Sequence, residues 1–199
     1  MTDLLDLMRA RRSVRRYTAQ PVPDALLHQI LEAGRWGPSA HNRQPWRFAV
    51  LADPARRQAL AEAMAARFRV DLAAAGLPAA RIDEQVARSQ VRIGGAPALI
   101  VLFLSMADMD EYPDARRQEA ERTMAIQSVA LAAQNMLLAA HDAGLGACWV
   151  CAPLFCPDVV RDVLALPVDW EAQGLLTIGY PAEVRSKDRA LVETKTRWF

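Results

Sequence analysis

Cysteine and net charge are both scarce in this chain of 199 residues. Its three cysteines, an odd number, all lie within residues 148–156, which excludes a disulfide framework and fits a reducing cytoplasm. The formal net charge is only +1, from 24 basic and 23 acidic residues, so the chain as a whole is not drawn to nucleic acid or anionic lipid. We therefore expect neither a nucleic-acid nor a membrane partner.

Long apolar runs and a secretion signal are also missing. No uninterrupted apolar run reaches the roughly 18 residues of a membrane-spanning helix. The first residues, MTDLLDLMRARR, place acids before the apolar side chains and lack a cleavage site, which argues against a signal peptide. Hydrophobic residues make up 52% and charged residues 24%, so we expect one globular domain over residues 1–199 with a substantial core.

The hydrophobic pattern predicts a helix-rich α+β fold with four or five strands. Helices are expected at about 3–9, 23–36, 54–75, 79–91 and 115–142, and from 157 onward. Strands are expected at 47–52, 98–104, 147–152 and about 173–180. The second of these, ALIVLFL, is apolar on both faces and therefore predicts a central, buried strand.

Two segments carry apolar surface that needs a partner. From Met124 onward the helix at 115–142 contains almost only apolar or small residues, which predicts burial in a core or a subunit interface. The tail after residue 180 is polar and has no core of its own, yet it ends in Trp198 and Phe199.

Residues 9–16 read RARRSVRR, so five of these eight residues are arginine. A solvated basic face is the simplest interpretation. A nucleic-acid arm would need a wider basic stripe with interleaved aromatic residues, which the sequence does not show. An anion site is the third interpretation, because guanidinium groups bind phosphate oxygens bidentately and a serine hydroxyl adds a further donor. That compact donor set is Arg11, Arg12, Ser13 and Arg15.

The stretch PSAHNRQPWRF, residues 38–48, is the second informative segment. The side-chain amides of Asn42 and Gln44 both donate and accept hydrogen bonds, which suits the edge of a heterocycle. Two residues apart in an extended segment, they would face the same side. A capped turn before a strand is the alternative, because Ser and Asn favour turns for local reasons.

Four motifs in order resemble a known family. RRSVRRYT, the PSAHNRQPWRF loop, GLGACWV and TIGYP together resemble the FMN-dependent nitroreductases over nearly the whole chain. Three further stretches, VDLAAAGLP, EYPDARRQEAERTM and LALPVDWEAQG, resemble one branch more closely. That branch is the C-terminal flavin domain of the γ-glutamyl ligase of a deazaflavin coenzyme.

The resemblance implies a nitroreductase-like α+β fold, in which helices surround a central, mostly antiparallel sheet. It also implies a homodimer with two FMN sites at the subunit interface and a C-terminal extension that wraps the partner. The apolar helix around 124–141 and the aromatic end of the tail agree with that arrangement.

The resemblance also implies which residues hold the FMN. Its phosphate would be bound by Arg11 and Ser13, with Arg12 as a secondary donor, and by Lys187 and Arg189. Arg15 would reach the pyrimidine edge of the ring system, where a fixed cation stabilises the negative charge of the reduced flavin.

Two loops would complete the implied cofactor site. The other subunit would contribute Pro38, Ser39 and Asn42, with Gln44 meeting the ring or the ribityl chain. The segment that follows GLGACWV would place against the flavin the backbone amides of Val150, Cys151 and Ala152.

The implied reaction is ping-pong. NAD(P)H gives a hydride to FMN and leaves, and a nitroaromatic, quinone or enone acceptor then takes electrons at the same face. Because the flavin supplies the chemistry, no catalytic side chain is predicted. The branch resemblance offers a deazaflavin coenzyme precursor as an alternative acceptor, with Asp71 and His41 as candidate substrate contacts. A non-catalytic flavin-binding protein is a further alternative, and the sequence leaves NADH against NADPH open.

The C-W-V-C stretch, Cys148 to Cys151, suggests a rival thiol redox site. A helix start lowers the pKa of a redox-active thiol, but here the stretch predicts a strand with neither thiol at a helix start. With Cys156 the group still lacks a convincing fourth metal ligand, so no metal site is predicted. Cys151 departs from the small residue, often glycine, that the family has there.

If the flavin rather than a thiol pair carries the electrons, the double substitution Cys148→Ser with Cys151→Ser should leave turnover intact. The measurement is steady-state oxidation of NAD(P)H with a quinone acceptor, with each single variant as a comparison. Loss of turnover in a variant that keeps its flavin would support the thiol mechanism instead.

Overall fold

The fold follows from a computed structural model that describes residues 3–183 and 186–199. The α-helices are α1 Leu4–Ala10, α2 Asp24–Arg35, α3 Pro54–Ala74, α4 Ala79–Gly94, α5 Ala115–Asp142 and α6 Pro157–Val163. The strands are β1 Trp46–Leu51, β2 Ala98–Leu104, β3 Gly146–Val150 and β4 Glu171–Gly179. Single 3-10 turns lie at Ala40–Asn42, Ala152–Phe155 and Val192–Lys195.

Local sequence explains where the two longest helices begin and where α5 ends. The side chain of Asp53 accepts a hydrogen bond from the backbone N–H of Ala55 at 2.9 Å, and Pro54 follows at the first helical position of α3. Asp114 caps α5 in the same way. Gly144, at φ +75°, ends α5 because only glycine takes this left-handed conformation without strain.

The sheet has the order β1-β2-β4-β3, and every neighbouring pair is antiparallel. All residues of β2 are buried, which confirms the expectation of a central strand that is apolar on both faces. Alternate residues of β2 belong to two hydrophobic cores, one on each face of the sheet. Ile100 and Leu102 pack with α2 and α5, whereas Leu99 and Val101 pack with α3 and α6. The predicted α+β fold, an antiparallel sheet covered by helices on both faces, is confirmed.

The arginine-rich segment is fixed to the sheet as an extended strand-like stretch. Ser13 forms an isolated bridge with Ala147 of β3, and Tyr17 forms another with Pro181 at the end of β4. The backbone N–H of Val14 donates to the carbonyl oxygen of Ala147 at 3.1 Å. The segment therefore runs past β3 and toward the start of the C-terminal tail.

The hydroxyl of Tyr17 ties this segment to the core of the sheet. It lies 2.6 Å from the carbonyl oxygen of Val14, 3.0 Å from that of Thr177 and 2.7 Å from the Thr177 hydroxyl. Burial raises the pKa of the Tyr17 phenol, so the hydroxyl stays protonated and available as a donor. One side chain thus joins the arginine segment to β4.

The long helix α5 meets the length and composition of a membrane span. No uninterrupted apolar run in α5 reaches about 18 residues, as expected, because uncharged Gln, Ser and Asn interrupt it; only the overall composition of the helix meets the test. A core helix passes the same test, and Ala125, Val129 and Met136 of α5 are fully buried against the sheet and α2. Leu131, on the opposite side, is 46% exposed.

Two sequence expectations need correction, and a third lies partly outside the described residues. β3 ends at Val150, so Cys151 and Ala152 belong to a turn rather than to a strand. Asn42 does not lie in an extended segment, because residues 40–42 form a 3-10 turn. In the tail, Val184 and Arg185 lie outside the described residues, and the expected wrapping of a partner stays a prediction.

Tyr17→Phe should lower the free energy of unfolding by about 1–2 kcal/mol, because the substitution removes the one hydroxyl that hydrogen-bonds to Val14 and Thr177 in a partly buried site. Denaturant unfolding measures this change. The matched control is Tyr112→Phe, because the hydroxyl of Tyr112 has no hydrogen-bond partner among the described residues. It should change stability by less than about 0.5 kcal/mol. Equal stability of wild type and Tyr17→Phe would contradict the role given to this hydroxyl.

Candidate functional site

A group of arginines gathers where the N-terminal segment meets the tail. The pKa of Arg11 is lowered, first by burial and then by the positive charges of Arg189 and Arg12. Arg11 is half-buried, so these like charges are only partly screened by water. The structure thus brings together residues from the two ends of the chain, and their mutual repulsion favours a bound anion.

Arg12 and Ser13 extend this group. The Nη1 atom of Arg12 donates to the carbonyl oxygens of Arg9 and Arg11, the latter at 2.7 Å, while its Nε is buried without a hydrogen-bond partner in the described residues. Ser13 is half-buried next to Arg11, and its hydroxyl makes no hydrogen bond within the described parts of the chain. Lys187, two residues before Arg189, is exposed. We call Arg11, Arg12, Ser13 and Arg189 the phosphate cluster, for the group whose chemistry they match.

Arg15 lies in a different place, at a cavity of about 590 Å³. The same cavity is lined by Val150, Cys151 and Ala152 and, from α3, by Asp71. Five residues chosen from separate motifs of the sequence therefore meet around one space. Its apolar part includes Trp149 and Phe155, which gives flat ligands a surface to pack against.

The loop at 38–44 stays apart from that cavity. Pro38, Ser39, Asn42 and Gln44 do not line it, and no hydrogen bond or ion pair in the described residues joins them to the arginine segment. Ser39 shapes the loop from within, since its Oγ accepts a hydrogen bond from the backbone N–H of Gln44 at 3.1 Å. These four residues therefore lie outside the cavity of their own chain.

The conformation of the loop is strained at three residues. His41, Asn42 and Gln44 have φ values of +49°, +56° and +52°, in the left-handed region that side chains other than glycine rarely occupy. Such strain gathers at functional sites, where the surrounding structure must hold it in place. Here the side chains of Asn42 and Gln44 are both exposed, and Nε2 of Gln44 donates a hydrogen bond to the carbonyl oxygen of Asn42 at 3.3 Å.

His41 lies beside two carboxylates rather than in the cavity. Its ring and the carboxylates of Asp110 and Glu121 have ligand atoms within 4.8 Å of one another, a metal-like grouping that the sequence did not predict. Glu121 is fully buried, and its Oε2 has no hydrogen-bond partner in the described residues. Arg43 forms an ion pair with Asp110, so this group already contains a cation without a metal ion.

The cysteines have three different surroundings. Cys148 is buried in β3, whereas Cys151 is exposed and precedes the 3-10 turn at Ala152. The expectation that neither thiol stands at a helix start was thus wrong for Cys151, because the strand ends two residues earlier than predicted. Its sulfur lies 2.9 Å from Nε1 of Trp149, which donates to it. Burial raises the pKa of Cys156 to about 11, which keeps that thiol protonated at neutral pH.

Sequence reasoning missed the residues that α4 and α3 bring to the cavity. The polar ones are Arg67, Gln85, Arg88, Ser89 and Arg92, and the apolar ones are Met64, Phe68 and Leu72. The spacing of the four on α4 is i, i+3, i+4 and i+7, the spacing of one helix face. That periodicity is visible in the sequence QVARSQVR, but without the fold it describes any solvated helix face.

The chain is similar to known proteins over most of its length. The model of the Nitroreductase family matches residues 8–180. A curated relative, NADH dehydrogenase from Thermus thermophilus, is 34% identical over 199 aligned positions, which cover 87% of this chain and 84% of the relative.

Two solved structures have the same fold. A protein described as a nitroreductase in complex with FMN, from Desulfovibrio desulfuricans, is 31% identical with a TM-score of 0.75, over 98% of this chain and 96% of that one. The nitroreductase NfnB from Mycobacterium smegmatis, solved with NADPH, has a TM-score of 0.74 over 99% of this chain and 100% of its own. At 22% identity, NfnB shows the shared fold alone. The match over residues 8–180 is decisive, and the chain belongs to the Nitroreductase family.

Proposed function

We propose that this chain is an FMN-dependent oxidoreductase that takes reducing equivalents from NAD(P)H and passes them to an organic acceptor of the nitroaromatic, quinone or enone type. The observation that carries the proposal is that one short segment contributes both to the phosphate cluster and, through Arg15, to the lining of a cavity. Family membership and two relatives, one described with FMN and one named for NADH, support the same cofactor and reductant.

The phosphate cluster fits the phosphate of FMN. Arg11 is held half-buried beside Arg189 and Arg12, an arrangement that costs free energy until an anion neutralises it. The unpartnered Nε of Arg12 and the free hydroxyl of Ser13 supply two further donors at the same place. We propose these four residues, with Lys187 from the same tail, as the phosphate ligands.

The cavity fits the ring system of the flavin. Arg15 supplies the cation proposed for the pyrimidine edge, and the turn after β3 supplies backbone donors. Cys151 and Ala152 stand at the start of a 3-10 turn, where the first N–H groups have no partner within the turn and point outward. The chemistry that bound FMN supplies is two-electron transfer between the dinucleotide and the acceptor.

The chain's own residues bind the flavin, orient it and stabilise the charge that develops on it. Arg15 holds positive charge where reduction develops negative charge, which favours the reduced cofactor. Trp149 and Phe155 line the cavity as apolar surface that displaces water from a flat ligand. Cys151 narrows this space, because it stands where the family often has glycine.

We propose a homodimer whose partner supplies the loop at 38–44. Exposed apolar side chains support it: Trp198 in the tail is 94% exposed, and Phe199 and Leu191 are exposed as well. Leu131 adds an exposed apolar group on α5, the helix that was expected to meet a core or an interface. In a dimer these groups would be covered, and the amides of Asn42 and Gln44 would reach the site of the other chain.

A deazaflavin coenzyme or its precursor is the second candidate acceptor. The observation that favours it is Asp71, which lines the same cavity as Arg15 and matches the position expected to contact that coenzyme. His41, the other candidate substrate contact, does not line the cavity of its own chain and would act only in the site of the partner. A flavin-binding protein without catalysis would share the phosphate cluster but would not accept electrons from NAD(P)H.

The purified protein should be yellow, and native mass spectrometry should show two chains with two FMN molecules. Anaerobic addition of NADH or NADPH should bleach the flavin absorbance, and addition of a quinone should restore it. A colourless protein that FMN does not bind would refute the proposal. A bound flavin that neither nicotinamide bleaches would leave the non-catalytic alternative.

A further inference from the structure

We propose that Arg88 and Arg92 of α4 form a second anion-binding site, which recruits a carboxylate or phosphate group of the molecule that enters the cavity to exchange electrons. The inference rests on the proposed function, since it concerns the ligand that enters beside the flavin. It assigns a ligand chemistry to a face of α4 that neither the motifs nor the family match addresses.

The face of α4 that lines the cavity consists of polar residues, whereas its apolar residues face other elements. The apolar residues Ile82, Val86 and Ile93 of the same helix are buried against their neighbours. A separate stripe at i, i+3, i+4 and i+7 lines the cavity instead, consisting of Gln85, Arg88, Ser89 and Arg92. Two guanidinium groups, a hydroxyl and an amide therefore share one side of this space, and all four can donate hydrogen bonds.

Charge in the cavity is unbalanced. Four of its lining residues are arginine, at 15, 67, 88 and 92, against one carboxylate, that of Asp71. Arg67 is neutralised by a bidentate ion pair with Asp158, at 2.8 and 3.3 Å. Neither Arg88 nor Arg92 has an ion-pair partner among the described residues.

Their position on the helix makes this arrangement unfavourable by itself. Arg88 and Arg92 are four residues apart, so they are neighbours on one helix face, and like charges at this spacing destabilise a helix. Arg92 is half-buried, which reduces its screening by water. A bound anion would remove the repulsion and accept hydrogen bonds from both groups.

The phosphate of FMN is not the anion in question. Its proposed ligands Arg11, Ser13 and Arg189 do not line this cavity, so the chain has two separate groups of arginines. The cavity of about 590 Å³ is large enough for a flat ring together with a charged substituent. Two sources of that charge are possible: the phosphates of the nicotinamide dinucleotide, or an anionic group on the acceptor.

Equilibrium binding to the oxidised protein tests the site without relying on turnover. Isothermal titration compares 4-nitrobenzoate with 4-nitrobenzamide, which differ in charge but hardly in shape. Wild type should bind the benzoate more tightly, and the variant Arg88→Gln with Arg92→Gln should lose about tenfold or more of that preference. The pair Arg88→Lys with Arg92→Lys should keep most of it, because the charge remains.

A second measurement separates the two sources. Stopped-flow flavin reduction compares NADH with 1-benzyl-1,4-dihydronicotinamide, a hydride donor without phosphates. If the site serves the dinucleotide, the glutamine variant should slow reduction by NADH about tenfold and leave the neutral donor unchanged. If it serves the acceptor, only the benzoate preference should fall.

Arg81→Gln is the matched control, because Arg81 lies on the same helix, pairs with Glu84 at 3.2 Å and does not line the cavity. This control should change neither the preference for the benzoate over the benzamide nor the rate of reduction by NADH relative to the neutral donor. The inference is overturned if the glutamine variant alters neither the benzoate preference nor the NADH preference while it retains its FMN. A protein without FMN would refute the proposed function, and the benzoate titration would still decide the anion site.

Discussion

The attachment of residues 11–17 to the edge of the sheet is the constraint on which the rest of the site depends. Backbone pairing with Ala147 and the buried hydroxyl of Tyr17 fix an extended segment that would otherwise be a loose, highly charged terminus. This attachment sets Arg11 beside the tail and Arg15 beside the turn after β3. Two functional groups four residues apart are thereby directed to two different places, one suited to a phosphate and one to a ring.

Positive charge at both places is held in excess of its local counter-charge. The near-neutral net charge of the chain does not reveal this local excess, because acidic residues pair with other arginines, as Asp158 does with Arg67. Arg11 is disfavoured by burial and by Arg189. Arg92 is half-buried four residues from Arg88, a spacing at which like charges on a helix repel. Repulsion between these arginines destabilises the protein without ligand. A bound anion removes the repulsion, and the free energy regained contributes to the affinity for the ligand.

The sequence predicted the elements well, because their hydrophobic periods are strong. β2 was predicted at its observed bounds, since seven consecutive apolar residues leave little choice. The ends of weaker elements were not predictable: β3 stops before Cys151, and three left-handed residues bend the loop that was expected to be extended. The grouping of Asp71 with Arg15 came only from family resemblance. Arg88 and Arg92 were missed, because only the tertiary packing of α4 distinguishes a cavity face from a solvated one.

The preference for FMN over riboflavin tests the central claim most directly, because the two differ only by the phosphate. Dissociation constants of both are measured for wild type, Arg11→Ala and the control Arg9→Ala, whose side chain is exposed and pairs with Asp6. The account predicts that Arg11→Ala weakens FMN by about 1.5–3 kcal/mol and hardly affects riboflavin, while Arg9→Ala changes neither. Equal weakening of both flavins by Arg11→Ala, or none, would contradict the assignment of this residue to the phosphate.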